Sequence, residues 1–401
     1  MSGRNARVSR WAVFGLLVAA LSIVAAGCGG GGGGGSASTE IEGLGTSLEE
    51  IQANAKNEGQ TKLVIWAGYA DKSWADQFTK DTGCKVQTRD GASSDDMVDL
   101  VSTGEWDGVS ASGDATLRLI AKGDVAPVNF DLTPNYADVY EGLKGQSYNT
   151  VDGVGYGVPH GRGVNDMIFR NDILPADTDS WAPIWPGTDY KGKLSIYDNQ
   201  IFIADAALYL KATQPDLNIT DPYELDEDQF NAAIDLLKQQ RPNIGKYWDG
   251  VTYADQVTTF KSGETVVGTT WPYQVNLMAA EKPPLTVTAL VPTEGTTGWS
   301  DTWMISSKAA HPNCTYLWMN YIISPDANAK VAEYFGEAPS NAKACEKTSD
   351  PNTCANYHAD DESYWDNVYY WNTPQADCGD DRGEVCKTYE DWRAAWTEIK
   401  G

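Results

Sequence analysis

The chain has 401 residues, 30 of them basic and 56 acidic, for a formal net charge of −26 at pH 7. So acidic a surface repels nucleic acid and anionic lipid and attracts cations, although the same charge also serves solubility. His160, His311 and His358 are scattered and no CxxC occurs, so neither a metal site nor a cofactor is expected.

The N-terminus points outside the cytoplasm. Arg4, Arg7 and Arg10 precede an apolar run from Trp11 to Ala26, broken only by Gly15 and Ser22. That is the charged start and apolar middle of a secretory signal, too short and abruptly ended for an ordinary membrane span. In "VAAGC", small residues stand directly before Cys28, the lipobox pattern in which the signal is cut before the cysteine and the cysteine takes the lipid. A plain signal with an incidental cysteine is the alternative. Residues 1–27 are expected to be the signal and 28–60 the lipidated Cys28 with a Gly/Ser-rich tether, led by Gly29 to Gly35. The mature domain would sit on the extracytoplasmic face of the membrane, touching it through its lipid.

About 340 residues follow, enough for two lobes with separate cores. "KLVIWAG" (62–68) reads as a strand, and "DKSWADQFTKDTG" (71–83) as a helix with Trp74 and Phe78 on one face and Gly83 at its stop. "CKVQTRD" and "EWDGVSAS" are further strands; "SDDMVDLVSTG", capped by Ser94 or Asp95, and "ATLRLIAKGD" are further helices. Such alternation predicts a parallel sheet with covered faces. "DEDQFNAAIDLLKQQRP" (226–242) is an amphipathic helix with Phe230, Ala233, Ile234 and Leu237 inward, ended by Pro242. In "EGTTGWSDTWMISS" (294–307), read as a strand, Trp299, Asp301 and Trp303 share one face. That face is either core, its acid satisfied by backbone donors, or part of a pocket for a cation. Residues 311–336 read as two helices broken at Ser324–Pro325.

Besides Cys28 there are six cysteines, an even number that suits an oxidising compartment. Short spacings favour Cys345–Cys354 and Cys378–Cys386, which leaves Cys84 for Cys314, although sequence alone does not fix connectivity.

Five further stretches carry a resemblance. They are "VIWAGYADKSWADQFTKDTGCKV", "GEWDGVSASGD", "SWAPIWPGTDYKGKLSIYDN", "FKSGETVVGTTWPY" and "VPTEGTTGWSDTWMISSKA". In these and in their order the chain resembles the spermidine/putrescine-binding proteins of bacterial ABC importers, over nearly all of residues 61–401. The resemblance implies an α/β, two-lobed periplasmic-binding-protein fold (type II), each lobe a mixed sheet flanked by helices, with a hinge between. Lobe one would be residues 61–160 with 299–338, and lobe two 165–297 with 339–401, including a disulfide-stapled tail. It implies a monomeric receptor, not an enzyme, that hands a polyamine to membrane permease subunits.

A polyamine needs aromatic walls for its methylenes and carboxylates near its nitrogens. The resemblance assigns walls to Trp66, Tyr69, Trp271 and Trp299, the principal amine-binding carboxylate to Asp301, and a hydrogen bond near the ligand to Ser112. Trp303 is expected in the core. The chain departs from the family pattern at Asn199 and Gln274, where acids are common. It has acids instead at Asp114 and Glu337, and Asn372 holds a polar position in the tail. Arg162 lies at the first lobe crossing; it is either a surface or ion-paired residue, with Asp166 as a candidate partner, or a carboxylate grip. The second case would make the ligand a zwitterionic amine such as 4-aminobutyrate, held by Arg162 and Asp301 together. A glycoside hydrolase using Asp301 and Glu337 is a third reading. No nucleophile–His arrangement supports other hydrolytic chemistry.

Cys28→Ser is expected to release the protein into the medium or leave it unprocessed. A correctly cleaved variant that still fractionates with membranes would refute the lipid anchor.

Overall fold

The computed structural model describes residues 41–187 and 189–401. The expected signal, Cys28 and the glycine run lie outside the described residues. The folded domain begins earlier than the expected tether end at residue 60. Leu48–Glu58 is a helix capped by Ser47 and closed by Gly59 at φ 65°, with Ile51 and Ala55 fully buried. One buried stripe at i, i+4 among polar residues was too faint a periodicity to separate from a tether.

Two sheets dominate. The first takes its strands in the order Lys85–Asp90, Gln60–Ile65, Gly108–Ala111, Thr302–Ser306, Val125–Ala126, and Val158–Pro159 also pairs with Thr302–Ser306. Its first three strands are parallel, as the strand–helix alternation predicts, but Thr302–Ser306 runs against them, so the sheet is mixed. The second sheet runs Ile244–Trp248, Leu194–Tyr197, Val267–Thr270, Asp166–Arg170, Val287–Leu290, with Asp166–Arg170 antiparallel to both neighbours.

A small third sheet joins them, in the order Ala338–Pro339, Gly161–Val164, Thr296–Trp299, Val368–Tyr370. Two of the chain's crossings between the lobes are strands of it. Gly161–Val164 carries the chain from the first sheet to the second, and Thr296–Trp299 brings it back, the two paired antiparallel at Gly298↔Val164 and Trp299↔Gly163. Two lobes built on mixed sheets and joined by a paired-strand hinge are the architecture that the resemblance implies.

This hinge corrects the reading of residues 294–307 as one strand. Thr296–Trp299 belongs to the hinge sheet and Thr302–Ser306 to the first, so the chain changes partners at Ser300–Asp301 and the strand breaks there. Asp301 therefore occupies a corner between sheets. Trp303, 1% exposed, is in the first core as expected, with Trp74, Phe78 and Trp318.

Local signals largely set the helices. Lys72–Thr82 starts at the Asp71 cap and stops at Gly83, φ 80°. Ser94–Ser102 is capped by Ser93, one residue before the expected cap. Glu227–Gln240 opens with a capping box between Asp226 and Gln229 and buries Phe230, Ala233, Ile234 and Leu237. Pro312–Ile322 and Pro325–Phe335 are separated at Ser324, as read. The C-terminal helix Tyr389–Lys400 packs Trp392, Trp396 and Ile399 into the second core.

The six cysteines form Cys84–Cys314, Cys345–Cys354 and Cys378–Cys386. The first closes 230 residues of chain and ties the start of an edge strand to the helix behind it.

Candidate functional site

Strand ends build the cleft between the lobes. Gln60–Ile65 and Gly108–Ala111 finish at Trp66 and Ser112 in the first lobe, while Leu194–Tyr197, Ile244–Trp248 and Val267–Thr270 deliver Tyr197, Trp248 and Trp271 from the second. All five strands point their C-terminal ends at the same crevice, the usual place for a ligand in such sheets. Trp299 and Asp301 come from the hinge, and Tyr253, Tyr273, Phe335 and Trp371 complete the aromatic wall. The cleft leaves a space of about 100 Å³ between these side chains.

Two glycines allow this packing. A Cβ at Gly163 would lie 2.3 Å from the Trp299 ring, so the hinge strand presses directly against that indole. One at Gly250 would lie 2.9 Å from Trp66, whose ring meets the second lobe there. The lobes also touch where Asn199 Nδ2 donates to Asp114 Oδ2 at 3.3 Å.

The floor is a chain of directed hydrogen bonds ending on one carboxylate. Trp66 Nε1 donates to Ser112 Oγ at 3.1 Å, and Ser112 Oγ donates in turn to Asp301 Oδ1 at 2.6 Å. Tyr69 Oη donates to Asp301 Oδ2 at 2.5 Å. The backbone N–H of His160 holds the Asp301 carbonyl at 2.8 Å. Asp301 is 3% exposed, and burial pushes its pKa up to about 6, against the lowering effect of the Ser112 and Tyr69 bonds.

Behind the floor the charges are quenched. Tyr69 stacks on the His160 ring at 3.9 Å, and Trp303 Nε1 donates to His160 Nδ1 at 2.9 Å. A donor at Nδ1 puts the neutral ring's proton on Nε2, which faces Glu337 Oε1 at 3.6 Å. Burial lowers the His160 pKa to about 3, and burial followed by the Asp301 charge raises that of Glu337 well above the carboxylate range. His160 is therefore neutral near pH 7, and burial disfavours a charge on Glu337. In the cleft, Asp198 is paired with Lys400 Nζ at 2.6 Å, and Asp249 accepts from the backbone N–H groups of Val251 and Thr252. Asp301 thus has only neutral donors, and no Lys or Arg lines the cleft among the described residues.

Of the residues singled out in the sequence, Trp66, Tyr69, Ser112, Asn199, Trp271, Trp299 and Asp301 come together in this cleft. Asp114, Glu337 and Asn372 do not line it. Asp114 is fully buried behind Asn199, where Ser94 Oγ donates to it at 2.8 Å. Glu337 is walled off behind His160, and Asn372 faces Ser147 at 3.3 Å on the outside. Arg162 is turned away: its Nη2 donates to Glu362 Oε1 at 2.7 Å and to the Ala359 carbonyl at 3.0 Å, and its guanidinium lies 4.3 Å over Trp365. The expected partner Asp166 is not the one used. Sequence reading missed Tyr197, Trp248, Tyr253, Tyr273, Phe335 and Trp371; for Tyr197 and Trp248, the position at the end of a strand was the available signal.

Comparison with known proteins adds a family. The family described as bacterial extracellular solute-binding protein matches residues 73–358. This chain belongs to it. The spermidine/putrescine-binding periplasmic protein 1 of Haemophilus influenzae is 25% identical over 301 residues, covering 74% of this chain and 79% of that protein. Among solved structures, the TpPotD lipoprotein of Treponema pallidum aligns with TM-score 0.66 at 19% identity, over 85% of this chain and 99% of that one. The binding protein MotA of A. tumefaciens, in complex with glucopine, aligns with TM-score 0.66 at 16% identity, over 85% and 100%. The two-lobed, type II fold and the resemblance read from the sequence are both borne out.

The raised pKa of Asp301 has a testable sign. Its folded value of about 6 exceeds the ordinary carboxylate value of about 4, so the protonated group favours the ligand-free fold and that contribution is lost as pH rises through about 6. Chemical denaturation of Asp301→Asn should therefore show stability gained relative to the parent between about pH 4 and pH 7, levelling off above. A difference that is constant with pH would show that Asp301 does not titrate in this way.

Proposed function

We propose that the protein is the binding component of an ABC importer and takes a polyamine of the putrescine or spermidine class in the interlobe cleft. The observation that carries this reading is the solvent-poor carboxylate of Asp301, set among aromatic side chains with no cation beside it. An ammonium group placed there would replace neutral donors with an opposite charge, and indole and phenol faces would pack the methylenes while attracting the cationic ends. The name of the Haemophilus influenzae relative agrees with this ligand class.

The zwitterion reading needs a cation in the cleft for the ligand's carboxylate, and Arg162 is committed to Glu362 elsewhere. The glycosidase reading needs two acids flanking one space, and Glu337 does not line it. Export and attachment through Cys28 belong to the same proposal, with Asn199 and Asp114 bracing the lobes against each other in place of direct ligand contact by Asp114.

Calorimetry with spermidine and putrescine on three variants tests the assignment. Asp301→Asn should cost roughly 3–5 kcal/mol, more than a hundredfold in affinity. Trp299→Ala should cost about 2–4 kcal/mol through lost contact and cation–π attraction. Arg162→Ala should leave amine affinity within about twofold while lowering the melting temperature, because it abandons Glu362 and the Ala359 carbonyl. Unchanged binding by Asp301→Asn would defeat the proposal, and a collapse with Arg162→Ala would favour the zwitterion.

A further inference from the structure

A second concavity lies beside the hinge and shares no lining residue with the cleft. It is walled by Asn276 from the second lobe, by Gly336 and Ala338 from the first, and by Tyr364 and Trp365 from the stapled segment. Asp166, the first residue of the strand that enters the second lobe, opens onto it. Its side chain is buried to 8% exposure and accepts no hydrogen bond from any described residue.

The charge balance there is uneven. Arg162 also borders the space, but Glu362 faces its guanidinium with both oxygens, at 2.7 and 3.2 Å, and Trp365 covers it. Asp166 is left without a counter-charge. Burial alone raises its pKa to about 7, and the Tyr364 hydroxyl is pushed up first by burial and then by the Asp166 charge; both residues line the same space. Tyr364 itself is fixed by stacking on His358 at 3.8 Å and 6°.

We infer that this pocket is a second cation site, in which Asp166 receives a primary ammonium group and Tyr364 covers its alkyl chain. A carboxyl nine-tenths buried, without a donor among the described residues and facing a roomy pocket, is favourably placed to take a cation that enters it. A hard metal ion would need six or more oxygen ligands, and no metal-holding group of His, Cys, Asp and Glu occurs among the described residues. An organic ammonium needs only one carboxylate and an aromatic face. The inference does not depend on what the cleft binds.

Two-dimensional NMR with n-butylammonium chloride as probe, and sodium chloride as ionic-strength control, tests it. Saturable shifts are expected at the Asn276 side-chain amide and at Tyr364, at about millimolar probe, both in the parent and in Asp301→Asn. In Asp166→Asn, whose melting temperature should stay close to the parent's, the apparent affinity should fall about tenfold or more. Tyr364→Ala, in the stapled segment, should weaken it several-fold and provides a second reading if Asp166→Asn folds poorly. Absence of saturable shifts in the parent, equal shifts in Asp166→Asn, or a stronger response to sodium butyrate would overturn the site. Because Asp301→Asn keeps this site while losing the cleft, its failure and that of the polyamine reading are distinguishable.

Discussion

The buried carboxylate of Asp301 is the constraint around which the cleft is arranged. It stands where the chain leaves the hinge sheet for the first lobe, so its backbone belongs to the hinge while its side chain meets donors from two other strand ends. Tyr69 and Ser112 steady it without neutralising it. Behind it His160 is neutral near pH 7 and burial disfavours a charge on Glu337, so no cation on that side compensates the anion. A carboxylate held this way has its hydrogen bonds met by neutral donors while its charge stays unpaired.

Hinge and site are consequently one structure. Gly163 lets the outgoing crossing strand lie against Trp299 of the returning one, and Trp299 is also cleft wall. Trp271 Nε1 donates to Asn165 Oδ1 at 2.9 Å, which ties the opposite wall to the same crossing. A ligand that touches Trp299 and Trp271 therefore touches both sides of the hinge. The acidic surface, with a formal charge of −26, adds long-range attraction for a cation at low ionic strength.

Much of this was legible in the sequence because the signals were local. Asp71 and Gly83 bound a helix, Ser324–Pro325 breaks one, and short spacings pair four cysteines. Asp301 and its aromatic neighbours were legible through resemblance, since motif spacing fixes which strand end each occupies. What stayed hidden depends on contacts remote in sequence. Arg162 meets Glu362 two hundred residues later, in a segment whose Cys345–Cys354 staple sets its course. The break at Ser300–Asp301 follows from a change of sheet, which alternation of side chains does not encode. Asp114 and Glu337 look like ligand acids by position, yet burial places one behind Asn199 and the other behind His160.

The most direct test of the central claim is a thermal-shift panel on the parent protein with putrescine, spermidine, spermine, agmatine, 4-aminobutyrate and betaine at neutral pH. A ligand that binds only the folded state raises its stability with the logarithm of saturation. The account predicts clear stabilisation by putrescine or spermidine and none by 4-aminobutyrate or betaine. Stabilisation by 4-aminobutyrate alone, or by none of the amines, would contradict a cleft organised around one uncompensated carboxylate.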